Sequence, residues 1–179
     1  KYAYRFFRDK EEITDMVQLL PKRKQQKVIT KLKTHLKQSV ELLNQFDSKT
    51  AAGLMNIDYI QVTEKATVAQ VAKQFKAHEK RTGRLPAIIV LRQGRVIGYI
   101  PGHELGFALP QEVVKPYVRH ISTIAHNASH AETITHFRHH PHNKVVVLGE
   151  QNNVLGIIYA DDVLSILEDQ ESASLYDFA

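Results

Sequence analysis

The chain of 179 residues has no cysteine and no tryptophan. Without cysteine there are no disulfide staples and no thiolate metal sites, an economy that suits a reducing, cytoplasmic setting. Long apolar runs are missing too. The longest, Ala87–Leu91 and Lys144–Leu148, have the length of strands and fall far short of the roughly 20 residues a membrane-crossing helix needs. The opening Lys1-Tyr2-Ala3-Tyr4-Arg5 lacks the apolar stretch of a secretory leader. The chain has no Gly-rich phosphate loop, no His-Glu-x-x-His and no recognisable nucleophile–base–acid spacing, so it is not expected to be an enzyme. The lysine-rich stretch near the front has no interleaved aromatics and no nucleic-acid-binding motif, so a nucleic-acid partner is not expected.

What is present suffices for a packed core, with 43% apolar residues. The net charge of +5 is unevenly placed. Residues 1–45 carry 11 Lys/Arg and 5 Asp/Glu, a surplus of +6; the remainder carries 13 and 14, a balance of −1. No Lys or Arg follows Lys144, while the end of the chain holds Asp161, Asp162, Glu168, Asp169, Glu171 and Asp177. A basic front and an acidic end attract one another or face separate partners.

Helical periodicity dominates residues 10–45. Ile13, Met16, Val17 and Leu20 recur at helical spacing, and Pro21 suits the first turn of a second helix because its missing N–H would be unpaired there. Val28, Ile29, Leu32, Leu36, Val40 and Leu43 mark one face of that second helix, expected to run to about Asn44. Two such helices bury little by themselves and should dock on a larger unit. Residues 47–53 break the pattern and read as a connector.

From there the chain repeats itself. The first copy reads as a strand at Tyr59–Val62 and a helix from Thr67. The apolar strand Ala87–Leu91, a turn at Gln93-Gly94, the strand Arg95–Ile100 and a helix near His103–Ala108 complete it. The second copy keeps the order, with a strand at Val145–Leu148, a turn at Gln151–Asn153, a strand at Val154–Ile158 and a helix at Asp161–Leu167. Thr67-x-x-Gln70 and Ser129-x-x-Glu132 are matching capping boxes, each answering two orphan N–H groups. The copies are offset by 62 residues at these caps and by 58 at Gly98 and Gly156, so the first has four extra residues near His78–Leu85. Pro110–Pro116 links the copies. This βαββα unit, with a hydrophobic-glycine-hydrophobic strand feeding the last helix, is the pattern of a CBS motif. Two copies are expected to pack through their sheets about a pseudo-two-fold axis. The fold class is α+β, a tandem CBS pair behind a short helical region. The expected divisions are 1–49 (helical region), 50–115 (first repeat) and 116–179 (second repeat with an acidic end).

The entry Thr50-Ala51-Ala52-Gly53-Leu54-Met55 resembles the segment that opens the CBS pair of the MgtE family of magnesium transporters. The exit Leu155-Gly156-Ile157-Ile158-Tyr159-Ala160-Asp161-Asp162-Val163-Leu164 and the acidic run to Tyr176 are similar to that family's close. The resemblance spans nearly the whole chain. It implies a cytosolic, regulatory, magnesium-sensing domain at the inner face of the membrane, joined to a transmembrane domain in its parent and homodimeric through its CBS faces. Carried over by position, the implied magnesium ligands are Asp161 and Asp162, with Glu132, Glu168, Asp169 and Glu171. Facing carboxylates repel until a hard divalent cation bridges them. The chain departs from the family at Ala173, Ser174 and Ser165, where acids are common, and at His130 and His142.

Two alternatives stay open. Many CBS pairs bind adenine nucleotides through Gly-h-h-Thr/Ser-x-x-Asp, where h is apolar. The second copy keeps Gly156 and Asp162 but puts Tyr159 at the hydroxyl; the first has Pro101 there and Glu104 for the Asp. Seven of the ten histidines lie between His120 and His142. Glu132, His136 and His140 share a helical face, with His139 and His142 nearby, which is a transition-metal or pH-sensing arrangement or simply a solvated helix end.

Overall fold

A computed structural model describes residues 21–43, 45–140, 144–164 and 166–168. The expected first helix, the run from Asp169 onward and His142 lie outside the described residues. Helix α1 spans Lys22–Leu43, and Pro21 sits immediately before it, its carbonyl accepting from the N–H of Lys24 and Gln25. The first repeat contains β1 (Tyr59–Thr63), α2 (Val68–Thr82), β2 (Ala87–Arg92) and β3 (Arg95–Ile100). The second contains β4 (Ser122–Ala125), α3 (His130–His139), β5 (Lys144–Leu148) and β6 (Val154–Tyr159), and residues 160–164 are helical.

Each repeat forms a three-stranded sheet with its second strand central, parallel to the first and antiparallel to the third. The two sheets share their irregularity: register shifts after Val90 in one and after Val147 in the other, opposite Gly98 and Gly156. Both capping boxes form as the sequence indicates. The four extra residues lengthen α2 to 15 residues against 10 in α3. The helix expected near His103 is a 3-10 helix, Gly102–Phe107, because Pro101, Gly102 and Gly106 disfavour a continuous α-helix.

The central strands are apolar over Ala87–Leu91 and Val145–Leu148 because both faces of each sheet are covered. Ile88 and Val90 pack under α2 with Val68 and Val71. Val147 packs with Ile134 and Phe137 of α3. On the opposite faces, Ile89 of one sheet meets Val146 and Ile157 of the other.

The repeats also exchange their lead-in segments. Ala51, Ala52 and Met55, which precede the first repeat, are buried in the core of the second. Ala51 and Ala52 donate N–H bonds to the carbonyls of Ala128 and His126, and Asn56 exchanges two bonds with Ile157. Reciprocally, Val114 is buried in the first core. Val68 and Ala69 donate to the carbonyls of Glu112 and Pro110, and Tyr99 and Arg119 exchange two bonds. Helix α1 packs on α2.

Candidate functional site

A cleft of about 1010 Å³ opens where the two repeats meet, lined by the ends of β3 and β6, the segment before β4 and the start of β5. It exists because β3 carries the second repeat's lead-in on its edge, which brings Arg119 and His120 beside Tyr99–Glu104. Lys144, paired in register with Tyr159, supplies the floor from the second repeat.

Lys144 Nζ lies 4.5 Å from the centre of the Tyr99 ring and 5.9 Å from that of Tyr159, in cation–π range. Burial pulls its ammonium below the usual lysine range, so it gains from an anion that restores the lost solvation. Arg119 Nη2 donates to Glu104 Oε2 at 3.0 Å across the rim. Asp161 is exposed and lines the same cleft. Two cations (Lys144, Arg119), two carboxylates (Glu104, Asp161) and two aromatic rings (Tyr99, Tyr159) thus line one cleft.

The carboxylates named from sequence have distinct environments. Asp162 is buried, and its Oδ2 accepts the N–H of Tyr159 at 3.0 Å, so it secures the strand-to-helix turn. Glu132 is exposed and closes the α3 capping box, its Oε2 accepting from Ser129 N–H at 2.7 Å. Asp161 and Glu168 are exposed. Asp169 and Glu171 lie outside the described residues. Among the described residues no three His, Asp or Glu side chains converge on a point that would hold a metal ion. Gly156 is buried under the lead-in strand, outside the cleft, whereas Tyr159 lines it.

His136 and His140 stack with ring centres 4.7 Å apart, and His139 and His140 are exposed. The Nε2 of His136 is buried with no hydrogen-bond partner among the described residues. Burial, then the neighbouring His140, holds the His136 imidazole below its ordinary pKa.

Sequence reasoning did not single out Lys144, Tyr99, Arg119, His103 or His120 for the cleft. One signal was there: Lys144 is the last basic residue of the chain and opens an otherwise apolar strand. A second missed cluster lies in the first repeat. Asp58 accepts from Arg84 Nε at 2.6 Å and from His78 Nε2 at 3.2 Å, while His78 Nδ1 accepts from Arg81 Nη2 at 3.3 Å. Since a guanidinium only donates, the His78 ring accepts at Nδ1 and donates from Nε2 in this geometry.

The duplicated βαββα units with exchanged lead-in strands place the chain among tandem CBS proteins. It belongs to the CBS domain family, which matches residues 51–105 and 113–169. Among curated proteins it is similar to the magnesium transporter MgtE of Thermus thermophilus, 25% identical over 142 residues, which is 76% of this chain. The chain spans about a third of that relative's length (31%). Its fold is that of the cytosolic domain of the Mg2+ channel MgtE solved in complex with ATP, at a TM-score of 0.62 with 23% identity over 74% of this chain and 54% of the other. The soluble part of a magnesium transporter is equally similar, at 0.63 with 18% identity over 87% and 62%. The chain is thus a CBS pair related to the cytosolic region of MgtE-type transporters.

Proposed function

We propose that the chain is a ligand-sensing regulatory module without catalytic activity, the magnesium-sensing cytosolic region of an MgtE-type transporter. The observation that carries this reading is the reciprocal seating of the lead-in segments. Each repeat is held in place by the other's backbone, so a ligand at their junction acts on both at once. Occupancy then biases two arrangements by the difference in affinity between them. The similarity to MgtE supports magnesium as the ion.

The described carboxylates do not form a closed magnesium cage, and Asp162 and Glu132 each already accept a backbone N–H. Asp161 and Glu168 are exposed on the terminal helical segment. That suits Mg2+, which keeps several waters and takes one or two carboxylates from a surface. The remaining ligands come from a facing surface, in a homodimer or in the transmembrane domain of the parent at the cytosolic face of the membrane. Calorimetric titration with MgCl2 tests this: heat at millimolar Mg2+, weakened by Asp161→Asn with Glu168→Gln, supports it, and an athermal titration with no thermal stabilisation contradicts it.

The cleft itself favours a second ligand, an adenine nucleotide. Lys144 and Arg119 face its phosphates, Tyr99 and Tyr159 offer ring contacts, and Glu104 or Asp161 reaches the ribose. Titration with ATP should show saturable binding that falls at least about tenfold in Lys144→Met, the loss of one charge-assisted contact. Equal binding by the variant would refute this assignment.

A further inference from the structure

The strongest charge on the molecule lies away from the cleft. Helix α1 carries seven Lys/Arg and one Glu, and α2 four Lys/Arg and one Glu, so these 22 and 15 residues together hold +9. The whole chain is only +5, and residues 116–168 hold three Lys/Arg and five Asp/Glu, a balance of −2. The two basic helices pack on each other and form one outer layer of the first repeat.

On α2 the buried residues are Val68, Val71, His78 and Thr82. At 100° per residue, Lys73, Lys76 and Lys80 fall on the opposite side of the helix, at i, i+3 and i+7, and all three are exposed. Lys22, Lys24 and Lys27 are exposed on the neighbouring α1. Packed helices lie about 8–10 Å apart, within a Debye length, so the lysines of both act as one positive field.

We propose that this α1–α2 layer docks on anionic phospholipid headgroups. The inference rests on the reading of the chain as the cytosolic part of a membrane transporter, which keeps an anionic leaflet within reach. Three features favour lipid over nucleic acid. The charge is mostly lysine, a point-charge donor without the guanidinium fork that reads bases. Neither helix exposes a Phe, Tyr or Trp side chain for base stacking: α1 contains none, and the Phe75 of α2 packs against the first core. A polybasic helix near an anionic membrane gains with each lysine, and these two helices together carry nine.

Co-sedimentation of the full chain with vesicles tests this. Vesicles of phosphatidylcholine containing about one-third phosphatidylglycerol should pull the protein down, and pure phosphatidylcholine should not, with binding lost near 0.5 M NaCl. Lys73→Glu with Lys76→Glu and Lys80→Glu should weaken partitioning by at least about tenfold while the circular dichroism spectrum is unchanged. Retained binding in that variant, equal binding to both vesicle types, or tighter binding to a duplex oligonucleotide than to the anionic vesicles would overturn the proposal. A magnesium titration of the native chain beside its vesicle assay separates the two readings. A preserved Mg2+ response with no vesicle binding removes only the lipid surface; vesicle binding without any Mg2+ response removes the sensor and leaves the surface standing.

Discussion

The carbonyl oxygen of Asn56 lies 2.6 Å from the point where a Cβ on Gly156 would stand, with Met55 Sδ at 2.7 Å. This is why the second repeat needs glycine in its hydrophobic-glycine-hydrophobic strand: the lead-in of the first repeat runs directly over it. Gly98 stands in the same relation to the Arg119 carbonyl. Gly156→Ala must push backbone against backbone and should cost about 1–3 kcal/mol in urea unfolding. Gly102→Ala, with nothing within 4 Å of the new methyl, should be close to neutral. Equal effects of the two substitutions would contradict this account of the exchanged strands.

The matching capping boxes make a second comparison. Thr67 and Ser129 each accept the N–H of the residue three positions on, at 3.3 and 3.1 Å. Alanine at either position should lower stability by about 1 kcal/mol in denaturant melts. Helix α3 is the shorter, and its cap serves a larger share of its backbone, so helical signal near the transition should fall more for Ser129→Ala.

Much of this was legible in the sequence for a physical reason. Capping boxes and apolar central strands are local features, and duplication doubled the signal: Thr67 and Ser129 mark the same place twice. The 62- and 58-residue offsets also located the extra turn of α2. What escaped was set by long-range pairing. Nothing local in Arg119 or Tyr99 shows that they exchange backbone hydrogen bonds, and only that pairing brings Arg119 to the cleft. Motif position alone marks Asp162 as a ligand; its carboxylate is buried and accepts the Tyr159 N–H. The exposed neighbour, Asp161, faces the cleft instead. Which of two adjacent aspartates points outward is decided by the helix start after β6, one residue at a time.

His136 makes stability depend on pH. Its folded pKa is lowered by burial and by His140, so protons bind the unfolded chain more readily. Its contribution is therefore full above the ordinary histidine value and is lost as pH falls through that value toward the lower folded one. The urea midpoint of the native chain should drop between pH 8 and pH 5.5 by more than that of His136→Phe, which removes the buried Nε2 that has no hydrogen-bond partner among the described residues. Parallel pH profiles of the two proteins would exclude this role for His136.

Asp58 joins the start of the first repeat to the end of α2. Its carboxylate is 12% exposed and is the acceptor for both Arg84 and His78. Asp58→Ala leaves a buried imidazole N–H without an acceptor and should cost about 1–3 kcal/mol. Arg84→Ala removes a partner that is itself 39% exposed, and should cost under about 1 kcal/mol. A reversed order in thermal melts would show that Arg84, and not the carboxylate, organises this cluster.

Small-angle scattering of the purified chain with and without millimolar MgCl2 tests most directly whether an ion decides how the pieces of this protein sit. The account predicts a radius of gyration that differs between the two conditions, and a muted change when Asp161 is Asn and Glu168 is Gln. A radius of gyration indifferent to Mg2+ in the native chain would contradict it.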